Sequence, residues 1–204
     1  PGRTTLLCND MYAALDADAT RVPLWSAEHL TRDDVQAAER LKRHGRFHED
    51  LRLPIEARSE LEDYRRSGFD RGHMTPSGDA PTEAAQAETF ALSNVVPQTN
   101  ALNSGAWSHI EQTVRTLALQ DGDVYVVTGP AYHSSVIATI GPDHVKVPTS
   151  TWKAVYDPKR GGAMVYVLPL ILIRRGRGMK RWRSLSYTAD TYTKQHSTAT
   201  TTRH

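Results

Sequence analysis

The stretch Asp70-Arg71-Gly72-His73-Met74-Thr75-Pro76 carries the strongest structural and functional signal in this chain. Because it follows Gly68-Phe69, we expect it at the end of a strand or in the loop after it. Gly72 permits a close approach of another part of the chain and a positive φ, and Asp70 is expected to hold the loop or orient a neighbouring group. The imidazole of His73 has an ordinary pKa near about 6.5, which suits proton abstraction at neutral pH.

A second group of polar residues follows: Asn103, Glu111 and Arg115. Mg²⁺ prefers oxygen ligands and keeps several waters, so the amide oxygen of Asn103 is a candidate ligand. If one helix begins near Asn103, Glu111 at i+8 and Arg115 at i+12 stay on one broad face of it. Glu111 can then accept hydrogen bonds from metal-bound waters, and Arg115, like Arg71, can bind phosphate oxygens. With His73 as the base, these groups are the parts that metal-assisted hydrolysis of a phosphodiester needs.

Each of these residues also has an ordinary structural explanation. A single histidine such as His73 is usually structural or lies on the surface. Asn103 could be the N-cap of a helix, a position that asparagine favours. Glu111 and Arg115 could form an i,i+4 ion pair on a helix, worth roughly 0.3–0.5 kcal/mol. The combination of these residue types in this order favours the catalytic interpretation over the separate structural ones.

The composition is typical of one globular domain, with 204 residues, 39% hydrophobic and 24% charged residues, and a formal net charge of +2. No apolar run reaches the length of about 18 residues that a membrane span needs. Basic residues cluster at Arg65-Arg66 and in the run from Arg174 to Arg183, and such clusters are more often solvated surface than phosphate sites. The single cysteine, Cys8, excludes an internal disulfide and is expected to be a small buried residue.

Helical and strand patterns alternate irregularly along the chain. The patterns predict helices at 35–44, 83–92 (capped by Thr82) and 103–119, the last of them stopped by Asp121-Gly122-Asp123, and strands at 124–130, 144–147, 151–157 and 163–168. Because there is no regular βαβ repeat, we expect the α+β class rather than a parallel sheet. We place the domain at 1–170. After a possible strand at 170–173, the segment 171–204 is basic and then rich in Ser and Thr, and we expect loose packing there.

Three motifs together resemble a known family: Asp70–Pro76, Leu92-Ser93-Asn94-Val95-Val96-Pro97-Gln98, and Leu102-Asn103-Ser104-Gly105-Ala106-Trp107. They resemble the DNA/RNA non-specific endonucleases, the ββα-metal or His-Me finger nucleases that include mitochondrial endonuclease G and secreted bacterial sugar-non-specific nucleases. The likeness runs from about Tyr12 to Leu168. It implies a central, mostly antiparallel sheet flanked by helices.

The resemblance also implies a role for each motif residue. His73 would be the general base, and Asn103 would be the only direct protein ligand of Mg²⁺, with Mn²⁺ as a possible substitute. Glu111 would hold metal-bound waters, and Asn94 would support the site. The family cuts both DNA and RNA because it binds the backbone rather than base edges. In that chemistry Arg71 and Arg115 would bind the scissile phosphate or the transition state.

Two departures from the family pattern concern substrate binding. The family commonly has an arginine where His48 stands; Arg46 or Arg52 could replace it, or His48 could do part of its work. The basic run with Trp182 stands where the family has a loop and a final helix. The alternative function is therefore a catalytically impaired nucleic-acid-binding protein on the same scaffold. A homodimer and a protein inhibitor are possible partners, and secreted, periplasmic and mitochondrial locations are all compatible with the sequence.

Overall fold

A computed structural model describes residues 2–133 and 135–170, and the backbone of 184–188. Its centre is a seven-stranded antiparallel sheet with the strand order β1-β2-β3-β6-β9-β10-β11. The strands are β1 (Thr4–Cys8), β2 (Tyr12–Ala17), β3 (Val22–Thr31), β6 (Asp123–Ala131), β9 (Ser150–Asp157), β10 (Gly162–Pro169) and β11 (Ser184–Thr188). The α+β class and the antiparallel central sheet are confirmed.

Helices and two small strand pairs complete the fold. The α-helices are α1 (Arg32–Ala38), α2 (Leu61–Tyr64), α3 (Glu83–Thr89) and α4 (Ser108–Asp121). One pair joins β4 (Asp70–His73) to β5 (Val95–Gln98), and the other joins β7 (Thr139–Ile140) to β8 (Val145–Lys146). Short 3-10 turns occur at Ser77–Asp79 and Leu92–Asn94, and a π-helical segment at Leu102–Trp107 precedes α4. Among the described residues, no helix has the length and apolar character needed to cross a membrane.

The core lies between one face of the central sheet and α4. Val126 and Val155 from the sheet belong to the same buried cluster as Ile110 and Val114 from α4. This apolar stripe fixes the rotation of α4 against the sheet. Glu111 follows Ile110, and Arg115 follows Val114, so each lies about 100° around the helix from the stripe. The packing of α4 therefore carries both polar residues to the edge of the core.

Capping explains where two helices begin. Thr31 and Asp34 form a capping box at the start of α1, and the Thr82 hydroxyl accepts a hydrogen bond from Ala85 N, as predicted for α3. The prediction that the first helix continues to residue 44 is wrong, because α1 ends at Ala38. Past this helix the chain runs close to Phe90: a Cβ on Gly45 would lie 2.2 Å from Phe90 Cε2. This tertiary contact competes with continuation of the helix.

The predicted helix at 103–119 is two elements. Gly105 has φ −107° and ψ −110°, which breaks the π-helical segment before α4 begins. The argument that placed Asn103 eight residues before Glu111 on one regular helix is therefore wrong. The far end is as predicted, since α4 ends at Asp121 and Gly122 has a positive φ of 111°.

Gly72 and Cys8 differ from expectation in part. A Cβ on Gly72 would lie 2.3 Å from Gln98 Cδ, so the close approach is confirmed, but Gly72 is not among the residues with positive φ. Cys8 is exposed on β1, so its predicted burial is wrong; β1 is the terminal strand of the sheet and has a neighbour on one side only. Most of the segment 171–204 lies outside the described residues, and the domain boundary at residue 170 stays a prediction.

Candidate active site

A cavity of about 700 Å³ lies between β4, the π-helical segment and α4. Its wall contains five of the seven residues that the sequence predicts for the site: Arg71, His73, Asn103, Glu111 and Arg115. The pairing of β4 with β5 sets the first two, with His73 opposite Val95 and Arg71 opposite Pro97. Residues from three separate parts of the chain thus meet around one space.

His73 is the last residue of β4 and is 8% exposed. Its ring centroid lies 5.1 Å from that of Phe47 and 5.0 Å from that of Phe90, which packs edge-on. Burial, with a smaller contribution from the charge of Arg43, lowers the pKa of His73 to about 3. Its Nε2 is buried and has no hydrogen-bond partner among the described residues. His73 is therefore neutral at neutral pH, the form in which an imidazole can accept a proton, and it lines the cavity.

Asn103 is oriented by Asp70. The amide Nδ2 of Asn103 donates to Asp70 Oδ2 over 3.2 Å, and Asn100 Nδ2 donates to the same oxygen over 3.0 Å. An ionised carboxylate can only accept hydrogen bonds, so the amide nitrogen must face it and the amide oxygen Oδ1 must face away. The backbone N of Asn103 is already bonded to Thr99 O at 2.9 Å, and Asn103 caps neither helical segment. The N-cap alternative is wrong, and Asp70 orients a neighbouring group as expected.

Glu111 is half-buried at the wall of the cavity. Loss of hydration raises the pKa of Glu111 to about 7, and the positive charge of Lys153 is the largest opposing effect. Asn103 and Glu111 both bring oxygen atoms to the cavity, and oxygen is the donor that Mg²⁺ prefers, with water completing its coordination. The described residues contain no group of three His, Cys, Asp or Glu side chains that could hold a metal ion. The oxygen atoms of Asn103 and Glu111 fit a hydrated hard cation held by few protein ligands.

Arg115 is held by a residue that sequence reasoning missed. Its Nη1 donates to Asp79 Oδ1 over 2.7 Å, and its Nη2 donates to Gln112 Oε1 over 3.2 Å. The described residues contain no ion pair between Arg115 and Glu111, so the i,i+4 pair is not the reason for either residue. Asp79 is buried in the turn after the first motif. Only its closeness in sequence to that motif could have suggested a role.

Arg71 lies between two aromatic rings. Its guanidinium carbon is 5.3 Å from the ring centroid of Phe47 and 5.5 Å from that of Tyr64. One nitrogen, Nη2, donates to Leu61 O over 3.4 Å, and Nε is buried without a hydrogen-bond partner among the described residues. The ring contacts help to hold the guanidinium at the cavity wall, where an anion such as phosphate can accept hydrogen bonds from it.

Asn94 does not line the cavity but holds the chain that follows His73. It is fully buried, its Oδ1 accepts from Thr75 N over 3.0 Å, and its Nδ2 donates to Thr75 O over 2.9 Å and to Thr89 O over 3.0 Å. These bonds join the end of β4 to the end of α3. Asn94 therefore holds the backbone that follows His73, and its predicted role at the site stays a prediction.

His48 also lies outside the residues that line the cavity. Its Nδ1 and Nε2 lie 3.1 Å and 3.4 Å from the carbonyl oxygens of Glu49 and Ala87. Of the two arginines considered as replacements, Arg52 pairs with Asp50 at 2.7 Å, and the exposed Arg46 is not part of the cavity wall. The predicted part of His48 in substrate binding stays a prediction.

Arg43 is the arginine from this part of the chain that lines the cavity. It was not predicted from the sequence. It is exposed, and its guanidinium carbon lies 5.4 Å from the ring centroid of Phe90. Phe90 also packs against His73. The only sequence signal was the basic composition of residues 40–46, in which nothing distinguishes Arg43 from its neighbours.

Comparison with known proteins points in the same direction as this geometry. Nuclease C1 of Cunninghamella echinulata var. echinulata is 38% identical over 157 residues, covering 72% of this chain and 62% of that protein. Human mitochondrial endonuclease G is 34% identical over 182 residues, covering 83% of this chain and 61% of that protein. Zebrafish (Danio rerio) mitochondrial nuclease EXOG is 38% identical over 149 residues, covering 68% and 43%. The chain thus spans only about two fifths to three fifths of the length of these relatives.

A solved structure shows the same fold. It is a crystal structure of the EndoG/EndoGI complex, which concerns the mechanism of EndoG inhibition. One of its chains superposes on this chain with a TM-score of 0.76 at 30% identity, and the match covers 95% of this chain and 84% of that one. The family model for DNA/RNA non-specific endonucleases matches residues 1–201. The chain therefore belongs to the DNA/RNA non-specific endonuclease family.

Proposed function

We propose that the protein is a metal-dependent, non-specific endonuclease that hydrolyses phosphodiester bonds of DNA and RNA. The observation that carries this proposal is the buried, neutral His73, which lines one cavity together with Asn103, Arg71 and Arg115. A base without a proton, an oxygen donor for a cation and two phosphate-binding cations are what phosphodiester hydrolysis requires.

The imidazole of His73 takes the proton of the attacking water. Burial keeps the pKa of His73 near 3, so the ring stays neutral until it accepts that proton. Arg71 and Arg115 bind the phosphate oxygens and hold the phosphorus within reach of the water. Asn103 would hold Mg²⁺ or Mn²⁺ directly and Glu111 would hold it through water; the ion, when bound, supplies positive charge to the transition state and the leaving oxygen.

These groups recognise the backbone of the substrate rather than its bases. The cavity wall offers guanidinium groups and a cation site, and phosphate is common to DNA and RNA. We therefore propose that both nucleic acids are substrates. Arg43, at the same cavity, is proposed to do the phosphate-binding work of the arginine that the family has where His48 stands.

The test is cleavage of supercoiled plasmid and of a structured RNA, with Mg²⁺, Mn²⁺ or EDTA. We expect cutting of both substrates with metal, none with EDTA, and a loss of at least about 100-fold in His73→Ala, since general bases contribute about 10²–10⁴-fold. His109→Ala is the matched control, because His109 is exposed on α4 and does not line the cavity. Activity that survives both EDTA and His73→Ala would overturn the proposal.

The placement of His48 keeps one alternative in the same experiment. Its ring nitrogens face backbone carbonyls rather than the cavity, which would suit a protein that binds nucleic acid without cutting it. Binding of plasmid by a folded wild type, with no cleavage in excess Mg²⁺ or Mn²⁺, would favour this alternative. A homodimer stays a prediction, which sedimentation equilibrium tests.

A protein inhibitor is a further proposed partner. Its support is the solved complex in which EndoG is inhibited by EndoGI. An inhibitor acting on this chain would suppress plasmid cleavage at a stoichiometric ratio, and failure of purified EndoGI to do so would show that this particular inhibitor does not act here.

A further inference from the structure

Lys153 is a lysine whose ammonium group lies inside the protein. It stands on β9, is 1% exposed, and its side chain is among the largest that are fully buried. Transfer of an ammonium group out of water is strongly unfavourable unless other groups replace its hydration. The contacts of Lys153 Nζ therefore identify the groups that replace its hydration.

The ammonium group joins the central sheet to the strand that carries His73. Lys153 Nζ donates to Thr128 Oγ1 over 2.7 Å, and Thr128 is its direct partner on the neighbouring strand β6. It also donates to the carbonyl oxygen of Met74 over 3.3 Å. Met74 directly follows His73, and the small β4–β5 pair is not part of the central sheet. Lys153 is thus a polar connection between the two sheets immediately beside the base.

The peptide group between Met74 and Thr75 is held on both sides. Its oxygen accepts from Lys153 Nζ, and its N–H donates to Asn94 Oδ1 over 3.0 Å. The Thr75 hydroxyl also lies within hydrogen-bond distance of Ser26 Oγ on β3. The backbone after His73 therefore has little freedom to rotate, and the position of the imidazole is set by these contacts.

Lys153 contacts the metal-binding side of the cavity as well. Its Nζ lies 5.4 Å from the ring centroid of Trp107, a buried residue that ends the π-helical segment. Trp107 stands four positions after Asn103 and four before Glu111 in the sequence. One ammonium group is thus in contact with the element that carries the base and with the element that carries the oxygen donors.

Two buried carboxyl groups, those of Glu28 and Asp79, lie within electrostatic range of Lys153. Burial raises the pKa of both Glu28 and Asp79, and the positive charge of Lys153 opposes the rise at each of them. Asp79 also accepts a hydrogen bond from Arg115 Nη1. Lys153 forms no ion pair within the described residues, so the bonds to Thr128 Oγ1 and Met74 O are the hydrogen bonds that replace the hydration of its ammonium group.

We propose that Lys153 is a positioning residue for the nuclease reaction: it sets the distance between His73 and the Asn103–Glu111 side of the cavity by bonding Met74 O and packing on Trp107. The expected change in cleavage rate rests on the proposed function, but the expected change in hydrogen–deuterium exchange does not. Displacement of reacting groups by about 1 Å is enough to lower a rate about 100-fold.

The experiment compares Lys153→Met, which keeps the length of the side chain and removes its charge, with Thr128→Val and with the control Lys159→Met on the exposed β9–β10 turn. Plasmid cleavage is measured at saturating Mg²⁺, at a temperature equally far below the melting point of each variant. We expect kcat to fall about 100-fold in Lys153→Met and about tenfold in Thr128→Val, with KM changed less than threefold and no effect of Lys159→Met.

Hydrogen–deuterium exchange of the metal-free proteins supplies a readout that needs no activity. In Lys153→Met we expect exchange of residues 70–76 to accelerate about tenfold or more while β1 and β2 stay unchanged. Normal turnover together with unchanged exchange, or uniformly faster exchange over the whole sheet, would overturn the proposal. If Lys153→Met does not fold, the same criteria apply to Thr128→Val. A wild type that does not cleave would refute the proposed function, and the exchange data would still decide the role of Lys153.

Discussion

Replacement of Glu111 by glutamine is expected to make the metal-free protein more stable, by an amount that depends on pH. The fold raises the pKa of this carboxyl from 4.5 to about 7 through loss of hydration. As pH rises from 4.5, the unfolded chain releases the Glu111 proton first, so the unfolded state binds fewer protons than the folded state. The contribution of Glu111 to the stability of the wild type therefore falls between pH 4.5 and 7 and is constant above this range. Glutamine cannot ionise and removes the effect.

The magnitude follows from the two pKa values. A difference of one pKa unit corresponds to about 1.4 kcal/mol, so the step from 4.5 to about 7 corresponds to about 3 kcal/mol. Glu111 borders a cavity that is open to water, which screens part of this energy. We expect Glu111→Gln to gain about 2 kcal/mol at pH 8 and less than about 1 kcal/mol at pH 5. The same variant should lose cleavage activity, because a neutral amide holds a hydrated cation poorly.

Urea denaturation in EDTA at pH 5, 6, 7 and 8 measures this gain directly. Glu56→Gln is the control, since Glu56 is exposed in the segment between α1 and α2. This substitution should change the free energy of unfolding by less than about 0.5 kcal/mol at every pH. The reasoning is refuted if Glu111→Gln is less stable than the wild type at pH 8, or if its gain is the same at pH 5 and pH 8. Added Mg²⁺ should reduce the difference by stabilising the wild type alone.

Two further substitutions test other parts of the site. Arg43→Ala, made in the His73→Ala background, should weaken DNA binding about tenfold. It should also reduce the slope of log K against log salt by about 0.9, as expected for one lost phosphate contact. Arg40→Ala is the exposed control, and equal effects of the two substitutions would contradict the role of Arg43. Asn94→Ala should lower the free energy of unfolding by about 3 kcal/mol, because it removes the partner of the buried N–H of Thr75 and of two carbonyl groups. Asn103→Ala at the cavity wall should lower it by less than about 1 kcal/mol. Urea titration measures both values, and a similar loss in the two variants would contradict this reasoning.

Local interactions explain the elements that were predicted well. Thr82 caps α3 because its hydroxyl reaches a backbone N–H three residues ahead, and Gly122 ends α4 because it adopts a positive φ. The strands at β6, β9 and β10 follow from their apolar and β-branched residues. The first motif was informative for a similar reason, since its first four residues form one strand, β4, whose pairing with β5 places His73 and Arg71 at the cavity.

Contacts between distant parts of the chain explain what was missed. The partner of Arg115 is Asp79, which is 36 positions away and buried, rather than the neighbouring Glu111. Nothing in a local pattern distinguishes Arg43 from Arg46, because the choice depends on which of them the turn after α1 brings over Phe90. The break at Gly105 is a change of backbone conformation at one residue, which a helical periodicity of side chains cannot show.

The sequence by itself determined the family, the class of fold and five of the residues at the cavity, because short local motifs contain or adjoin those residues. Only the tertiary structure decided how those residues work together: that burial between two rings keeps His73 neutral, that Asp70 turns the amide of Asn103, and that Lys153 joins both sides of the cavity. The physical reason is that hydration, pKa and hydrogen-bond partners depend on what surrounds a group in space, and those neighbours come from parts of the chain that are far apart in sequence.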